Sequence, residues 1–495
     1  MTTKVVKGSL WTLAGQVAPL AVSLVATPFV IRMLGAESYG VLILIGLIPT
    51  YLGFADFGMS MASTKFGSEA YAEGDEEKEA RIVRTAALIA LITSVPVAAG
   101  LMIFASPVIS LFNVPEALQA EAVTALRIAA VTFVINFLCG IFNTPQLARL
   151  RMDLNTFINA GSRILGLIAT PIVLYLGYGI IGAVTVLLAA SLLNLLGHLV
   201  ISRSLLPHLF GTAIDKVMPL LMVKYGGGVV AGAIAGLFLI NAEKGILSAT
   251  VSPTALAHYG VAFALAGMVT MFSTAMIQSL IPAFSQLQGN DKRGQLQSIY
   301  SRGIRLSLVW VVPAMVVLAL IAKPFFTIWA GKEFGEASSW PFYFLLFGLT
   351  FNIFTYLPHS ILLATGRTDI LAKLFWIELF PYVFVVWFLS SRYGASGAAI
   401  AWSVRVIGDS IAHYLLVFRL NELALPYKIR TALPVSALAI ALPIALLMYK
   451  GSVEIVVLLA AAASILVFAF VAYTKVLEQE EINWLFAKIR TRIAS

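Results

Sequence analysis

Apolar runs of membrane length recur along almost the whole chain, separated by polar breaks. They fall at 10–33, 41–62, 83–112, 123–146, 157–176, 180–201, 225–247, 256–281, 304–329, 340–364, 374–390, 395–418, 432–449 and 453–474. A hydrocarbon core about 30 Å thick is crossed by about 20 helical residues, and each run is of that order. The runs are apolar on all faces, without the one-sided stripe of a soluble amphipathic helix. The pattern predicts an all-α polytopic membrane protein of about 14 transmembrane helices. The first run follows Lys4 and Lys7, as a signal peptide would. It is too long for a signal-peptide core and is followed by many more spans, so it is read as a retained helix.

The polar breaks alternate in character. Those at 177–179 and 450–452 are short, whereas those at 63–82 and 202–224 are long. Of the 33 Lys and Arg residues, all but Arg32, Arg127, Lys244, Lys323, Lys332, Arg392 and Lys450 fall on the side that holds the N-terminus. Positive charge concentrates on the cytoplasmic side of membrane proteins. Both termini are therefore expected in the cytoplasm, with the chain in a bacterial inner membrane. The 63–82 break, rich in Glu, reads as a solvated and partly helical charged loop. Beyond Lys475, the residues Ile482, Leu485, Phe486 and Ile489 share a helical face beside Lys488, Arg490 and Arg492. That suits a helix lying on an anionic leaflet.

Composition narrows the class. The chain is 60% hydrophobic and only 12% charged, against roughly 45–50% and about 25% in soluble domains. A net charge of +9 would raise nucleic acid as a partner in a soluble protein. Here the cytoplasmic loops account for it, and no nucleic acid is expected. Cys139 is the one cysteine and the five histidines lack ligand spacing, so no disulfide, metal site or cofactor is expected. No phosphate-binding Gly-Lys-Ser/Thr loop is present, which excludes an ATPase. A membrane glycosyltransferase or ligase would need acids or a sizeable loop on the outer side. The outer breaks offer little beyond Glu37, Glu116, Glu121, Glu333 and Glu336, read as solvated or capping residues.

An internal repeat is legible. Leu34–Val41 (LGAESYGV) matches Thr254–Val261 (TALAHYGV), Arg151–Asp153 matches Arg367–Asp369, and Tyr178–Ala183 (YGIIGA) matches Tyr393–Ala398 (YGASGA), at offsets of about 220, 216 and 215 residues. The order and topological position agree. Six helices per copy is an even number, so the copies keep one orientation, as in parallel transporter repeats. The division expected is 1–210 and 211–420 as six-helix bundles, 421–475 as two added helices, and 476–495 as a cytoplasmic amphipathic tail.

Leu34-Gly35 with Tyr39-Gly40, Asp56-Phe57-Gly58, and Asn241-Ala242-Glu243-Lys244 through Tyr259-Gly260 together resemble the polysaccharide transporter (Wzx-type flippase) family of the MOP superfamily. That superfamily also holds MATE exporters and the lipid II flippase. The resemblance spans roughly Gly8 to Leu420. It implies two bundles around a central cavity, alternating access, and an undecaprenyl-pyrophosphate-linked oligosaccharide as cargo, with polymerase and glycosyltransferase machinery as neighbours. The competing reading is a MATE-like exporter driven by a cation, which requires an acidic, aromatic-lined pocket.

Charges at membrane depth are costly, about 2.5–3.5 kcal/mol each on insertion scales, and so face a cavity or a partner. The cations are Arg405, Arg163, Arg127 and Lys244; the acids are Asp56, Glu243, Glu378 and Asp409. Arg127, Glu243 and Lys244 are expected near the outer boundary, Arg163 and Glu378 in the cytoplasmic third, and Arg405 nearest the middle of its span. Arg405, Asp409 and His413 are spaced i, i+4, i+8 and share a helix face. In one reading Arg405 grips a phosphate with its planar fork while Asp409 releases it or carries a proton. In the other, Arg405 and Asp409 neutralise each other. Asp56 either binds a coupling cation or bonds to a neighbouring helix. Glu243-Lys244 either touches departing cargo or forms an interfacial pair. Gln16 and His198 read as interhelical hydrogen-bonders, and Gly228, Gly232 and Gly236 as a close-packing ridge.

Overall fold

The computed structural model describes residues 2–211, 213–214, 218–286, 293–425, 427–479 and 481–483. Among these residues the chain is helical, without a strand. In order the helices are α1 (Thr2–Tyr51), α2 (Met59–Glu73), α3 (Glu76–Ile103), α4 (Ala105–Ser110), α5 (Glu116–Phe142), α6 (Thr144–Ala148), α7 (Met152–Tyr175) and α8 (Gly179–Leu205). They continue as α9 (Met218–Thr250), α10 (Pro253–Gln286), α11 (Arg293–Ala330), α12 (Lys332–Ala337), α13 (Ser339–Ala364), α14 (Thr368–Asn421), α15 (Tyr427–Lys450) and α16 (Ile455–Val471).

Among the described residues ten helices are long and apolar enough to cross a membrane. Two of the ten are double length. At about 1.5 Å per residue, the 50 residues of α1 and the 54 of α14 would run about 75 and 80 Å, far more than a bilayer. Each is broken at a glycine that leaves helical geometry, Gly35 (φ 74°, ψ 167°) and Gly394 (φ 56°, ψ −135°). α9 and α10, with 33 and 34 residues, are also of spanning length. The protein is thus a multi-pass membrane protein, and fourteen crossings remains the proposed count. Large apolar side chains such as Phe157, Ile168, Ile377 and Phe380 are exposed, as a lipid-facing surface requires.

The chain forms two compact units, Met1–Ala257 and His258–Ser495. α9 falls in the first, where it packs on α1, α2 and α3, so the boundary of compactness lies later than the 210/211 division proposed from the repeat. The repeat itself has a backbone counterpart. Gly179 and Gly394 both adopt φ 56°, and Leu150 and Gly366, which precede the matched Arg-x-Asp triplets, adopt φ 54° and 73°.

Two expectations are corrected in the first unit. The span expected at 41–62 is not continuous. It stops at Tyr51, makes a 3-10 turn at Gly53–Asp56, and restarts as α2 after Phe57 (φ 47°) and Gly58 (φ 69°), both left-handed. Backbone at this depth is freed from helical bonding only where protein buries it. Here Gly58 lies against the backbone of Gly226 in α9, where an added Cβ would come within 2.7 Å. The 63–82 segment is not a loop either. α2 and α3 fill it, joined at Gly74 (φ 77°), and the Asp75 side chain caps α3 by accepting from Lys78 N at 2.8 Å. Ser63, Gly67 and Ala70 form the buried face of α2. Of the expected glycine ridge, Gly228 and Gly232 lie outside the described side chains, and Gly236 has open space around it. Gly226 makes the close approach.

In the second unit the core is built from α11, α13 and α14, with Leu308, Val312, Met315, Leu346, Ile353 and Leu357 fully buried or nearly so. The tail begins differently from expectation. After a π turn at Ala472–Val476, Glu481 and Ile482 are buried. Glu481 takes a bidentate ion pair from Arg305 of α11, with Nη2 at 2.9 Å and Nε at 3.1 Å. Leu485, Phe486, Ile489 and their basic neighbours lie outside the described residues.

Candidate functional site

A stripe of polar residues marks the inner face of α7. Asn155, Asn159 and Ser162 recur at helical spacing and meet α8 and α6. Asn194 donates to Asn159 Oδ1 (3.1 Å) and to Ser162 Oγ (2.9 Å). Gln146 Nε2 donates to His198 Nδ1 (3.0 Å), so His198 carries its proton on Nε2 and gives it to Asn159 Oδ1 (3.3 Å). Gln146 also reaches Ser202 (3.3 Å), which donates to the Phe142 carbonyl. This chain of bonds ties α5, α6, α7 and α8 together in a region where no bulk water competes for polar groups. His198 is the interhelical bonder expected; Gln16 is exposed and makes no such bond among the described residues.

Above this network lies a cavity of about 660 Å³ within the first unit. α1 contributes Ile45, Pro49 and Thr50, α5 contributes Thr132, Phe133 and Asn136, and α7 and α8 contribute Ser162, Arg163, Ser191 and Asn194. Most of the lining is apolar, with a few convergent polar groups, the usual composition of a ligand site. Arg163 is exposed in it and has no ion-pair or hydrogen-bond partner among the described residues. It stands about 17 Å along α7 from its start, at about 1.5 Å per residue. Asn194, also on the wall, has a buried carbonyl oxygen that no donor among the described residues satisfies. The cavity therefore offers a fixed positive charge beside neutral hydrogen-bonding groups.

A second constellation lies in the second unit, around a cavity of about 250 Å³ lined by Glu378, Tyr382, Arg405 and Asp409. The halves of α14 on either side of Gly394 supply these residues. Arg405 Nη1 stands 3.5 Å from Glu378 Oε2, and the Arg405 guanidinium lies 5.2 Å from the Tyr382 ring centre. Asp409 meets His413 of its own helix, Oδ1 to Nδ1, at 2.9 Å. His413 Nε2 is in turn 3.1 Å from Nδ1 of His359 in α13. Arg405 thus pairs across the hairpin with Glu378 rather than along its helix with Asp409, because i, i+4 neighbours share a face but a long guanidinium reaches the facing helix as easily.

The remaining candidates are dispersed. Arg127 is exposed on α5 and donates to the Met102 carbonyl at 3.3 Å. Lys244 donates to Asn241 Oδ1 (2.8 Å) and stands 4.0 Å from the fully buried Glu243. Tyr51, stacked on Phe238, donates to the Asn241 carbonyl at 2.5 Å. Asp56 accepts from Ser60 N at 3.2 Å and so holds the restarted helix, while its other oxygen has no partner among the described residues. Sequence reading missed the Asn155–Asn159–Ser162 stripe, whose helical spacing was the available signal. It also missed Glu79. That residue is fully buried and receives both Arg149 amino groups at 2.6 and 3.1 Å, with Arg149 lying over Tyr71.

A model of the family described as polysaccharide biosynthesis protein matches residues 29–339. The chain belongs to the polysaccharide biosynthesis protein family. The family match contains the whole Arg163 cavity, whereas Glu378, Arg405 and Asp409 lie beyond it. Among curated members it is similar to a putative O-antigen transporter of Shigella flexneri, 22% identical over 82% of this chain and 96% of that one. It is also similar to the succinoglycan biosynthesis transport protein ExoT of Rhizobium meliloti, 22% identical over 74% and 70%. Among solved structures the fold is shared with the lipid II flippase MurJ in an inward closed conformation, at a TM-score of 0.70 and 14% identity over 94% and 99% of the two chains. An inward-facing MATE-family multidrug transporter of the MOP superfamily follows at 0.63, with 12% identity over 84% and 95%.

Proposed function

We propose that this family member is a flippase. It carries an undecaprenyl-pyrophosphate-linked oligosaccharide, such as an O-antigen, exopolysaccharide or capsule unit, from the inner to the outer leaflet of a bacterial cytoplasmic membrane by alternating access. The observation that carries the reading is Arg163, a cation at membrane depth with no counter-ion among the described residues, facing a cavity inside the first unit. An anionic group would fill that role. Guanidinium matches phosphate oxygens with paired donors, and the Asn and Ser groups beside it suit sugar hydroxyls. The cavity is of a size for a pyrophosphate and part of a sugar, so the rest of the glycan and the lipid tail extend beyond it. With the cell interior negative, outward movement of one negative charge gains about 2.3 kcal/mol per 100 mV. The relatives named as O-antigen and succinoglycan transporters support the same cargo class. Polymerase and glycosyltransferase enzymes would then act before and after this step, and the chain itself would catalyse no covalent chemistry.

The test is flipping of a fluorescent polyprenyl-pyrophosphate oligosaccharide in proteoliposomes, read by periodate accessibility of the sugar. Hydrogen bonds to charged groups contribute about 1.5–3 kcal/mol, so Arg163→Ala should slow flipping roughly 10- to 150-fold, with Arg163→Lys intermediate. Undiminished flipping by folded Arg163→Ala would overturn the assignment. The second reading, a cation-coupled exporter, is favoured by the carboxylates of the Glu378–Asp409 cavity. It requires dye efflux with an unchanged lipid-linked pool in a deletion strain.

A further inference from the structure

We propose that Glu378, Asp409, His413 and His359 form a proton-binding relay, loaded from the membrane face at which α13 ends. The inference rests on the chain being a transporter but not on which cargo it carries. Its basis is connectivity together with a charge count. The charged and titratable groups that act on the cluster among the described residues are Glu378, Arg405, Asp409, His413 and His359. From α11, the Tyr300 ring lies 6.4 Å from that of Tyr414, the residue after His413. Two carboxylates thus face one arginine. With both histidines neutral, the cluster holds one negative charge in excess, at a depth where isolated charge is expensive. One proton makes it neutral.

The bonds define the route. His413 is buried; its Nδ1 hydrogen-bonds the Asp409 backbone carbonyl at 2.9 Å, and Asp409 Oδ1 lies 2.9 Å from the same nitrogen at ion-pair distance, without a hydrogen bond among the described residues. Both are acceptors, so Nδ1 carries the hydrogen. Nε2 is left as an acceptor and takes a hydrogen bond from His359 Nδ1 at 3.1 Å. Each ring then has one N–H and one lone pair, and the His359 N–H meets the His413 lone pair. A proton arriving at His359 Nε2 forms a bond there; the His359 Nδ1–H bond breaks, and its proton bonds to His413 Nε2. His359 ends neutral with its tautomer exchanged, and His413 becomes an imidazolium beside the Asp409 carboxylate. No other reactant is needed, and return of the proton reverses each step.

The direction is asymmetric. Asp409 lies about 22 Å along its helix from Gly394, and His359 stands about 8 Å from the end of α13 at Ala364, at about 1.5 Å per residue. The relay therefore opens on the face that carries Arg367 and Lys373, which the charge bias of the loops assigns to the cytoplasm. Both nitrogens of His413 are committed to this chain, and no group of three or more His, Cys, Asp or Glu among the described residues is arranged to hold a metal. A histidine between a carboxylate and a second histidine is suited to proton passage.

The experiment uses the full-length protein with 15N-labelled histidine in lipid nanodiscs, titrated between pH 5 and 9. His413 should read as the Nδ1–H tautomer at high pH and become imidazolium in a step shared with His359. Asp409→Asn should abolish the tautomer preference. In proteoliposomes containing pyranine, a potassium diffusion potential should drive proton flux that falls at least tenfold in His359→Gln and in His413→Gln. His208→Gln, a histidine of the first unit that takes no part in these bonds, should match wild type. Independent titration of the two histidines, no wild-type flux, or equal flux in folded His359→Gln would overturn the relay. Glycan flipping without proton flux would remove the relay and leave the flippase reading; proton flux without glycan flipping would do the reverse.

Discussion

Replacing Gly226 with alanine should disrupt the first unit by a mechanism that can be worked from distances. An ideal Cβ at Gly226 would sit 2.0 Å from the Phe57 carbonyl oxygen and 3.0 Å from Met59 Cε. A carbon normally approaches a carbonyl oxygen no closer than about 3.3 Å, so about 1.3 Å of separation must be created. Met59 can swing its methyl aside, but the oxygen belongs to backbone. That backbone is fixed: Phe57 is left-handed, its N–H bonds to Phe54, and Asp56 holds the next helix through Ser60. Overpacking of this kind costs about 1–3 kcal/mol, occasionally more, and here it bears on the restart of α2. Gly236 on the same helix is the control, since among the described residues nothing beyond its own helix backbone lies within 4 Å of its added Cβ. Helix propensity alone favours alanine there by about 1 kcal/mol. Thermal unfolding of the detergent-purified protein should show Gly226→Ala several degrees less stable and Gly236→Ala unchanged or more stable. Equal midpoints for both variants would refute the claim that close backbone contact sets the broken helix.

Other outcomes follow from the same packing. Glu79→Gln should destabilise by about 3–5 kcal/mol, because Arg149 would be left as an unpaired and largely buried cation; adding Arg149→Met should restore most of the loss in the same unfolding assay. Glu481→Gln or Arg305→Ala should free the start of the tail, read as faster cleavage after Lys475 by trypsin in limited proteolysis. Asn159→Leu, which removes the acceptor shared by Asn194 and His198, should cost about 1–3 kcal/mol by leaving buried donors unsatisfied.

The spans were legible because lipid imposes a pattern that single residues report: about 20 apolar residues in succession leave few alternatives. The repeat was legible for a related reason, since Tyr178-Gly179 and Tyr393-Gly394 mark the same positive-φ turn. What was hidden depends on neighbours distant in sequence. Nothing around Asp56-Phe57-Gly58 signals a break until Gly226 is placed against it. Glu79 sits among exposed acids and differs from them only in facing Arg149. Arg405 had Asp409 one turn away, and local spacing could not rank that partner against Glu378 on the opposite arm. His359 carried no local signal at all; it enters only because α13 packs on α14.

The link from Glu378 to Arg405 constrains how the second unit can move. It joins the two arms of α14 well below their turn at Gly394, like a rung set far down a ladder. The glycine alone would let the arms splay, but splaying would strand two opposite charges in lipid. Rearrangement in this unit should therefore translate both arms as one body, with bending deferred to joints elsewhere. Spin labels placed on the two arms should keep a constant separation whatever state the protein is trapped in.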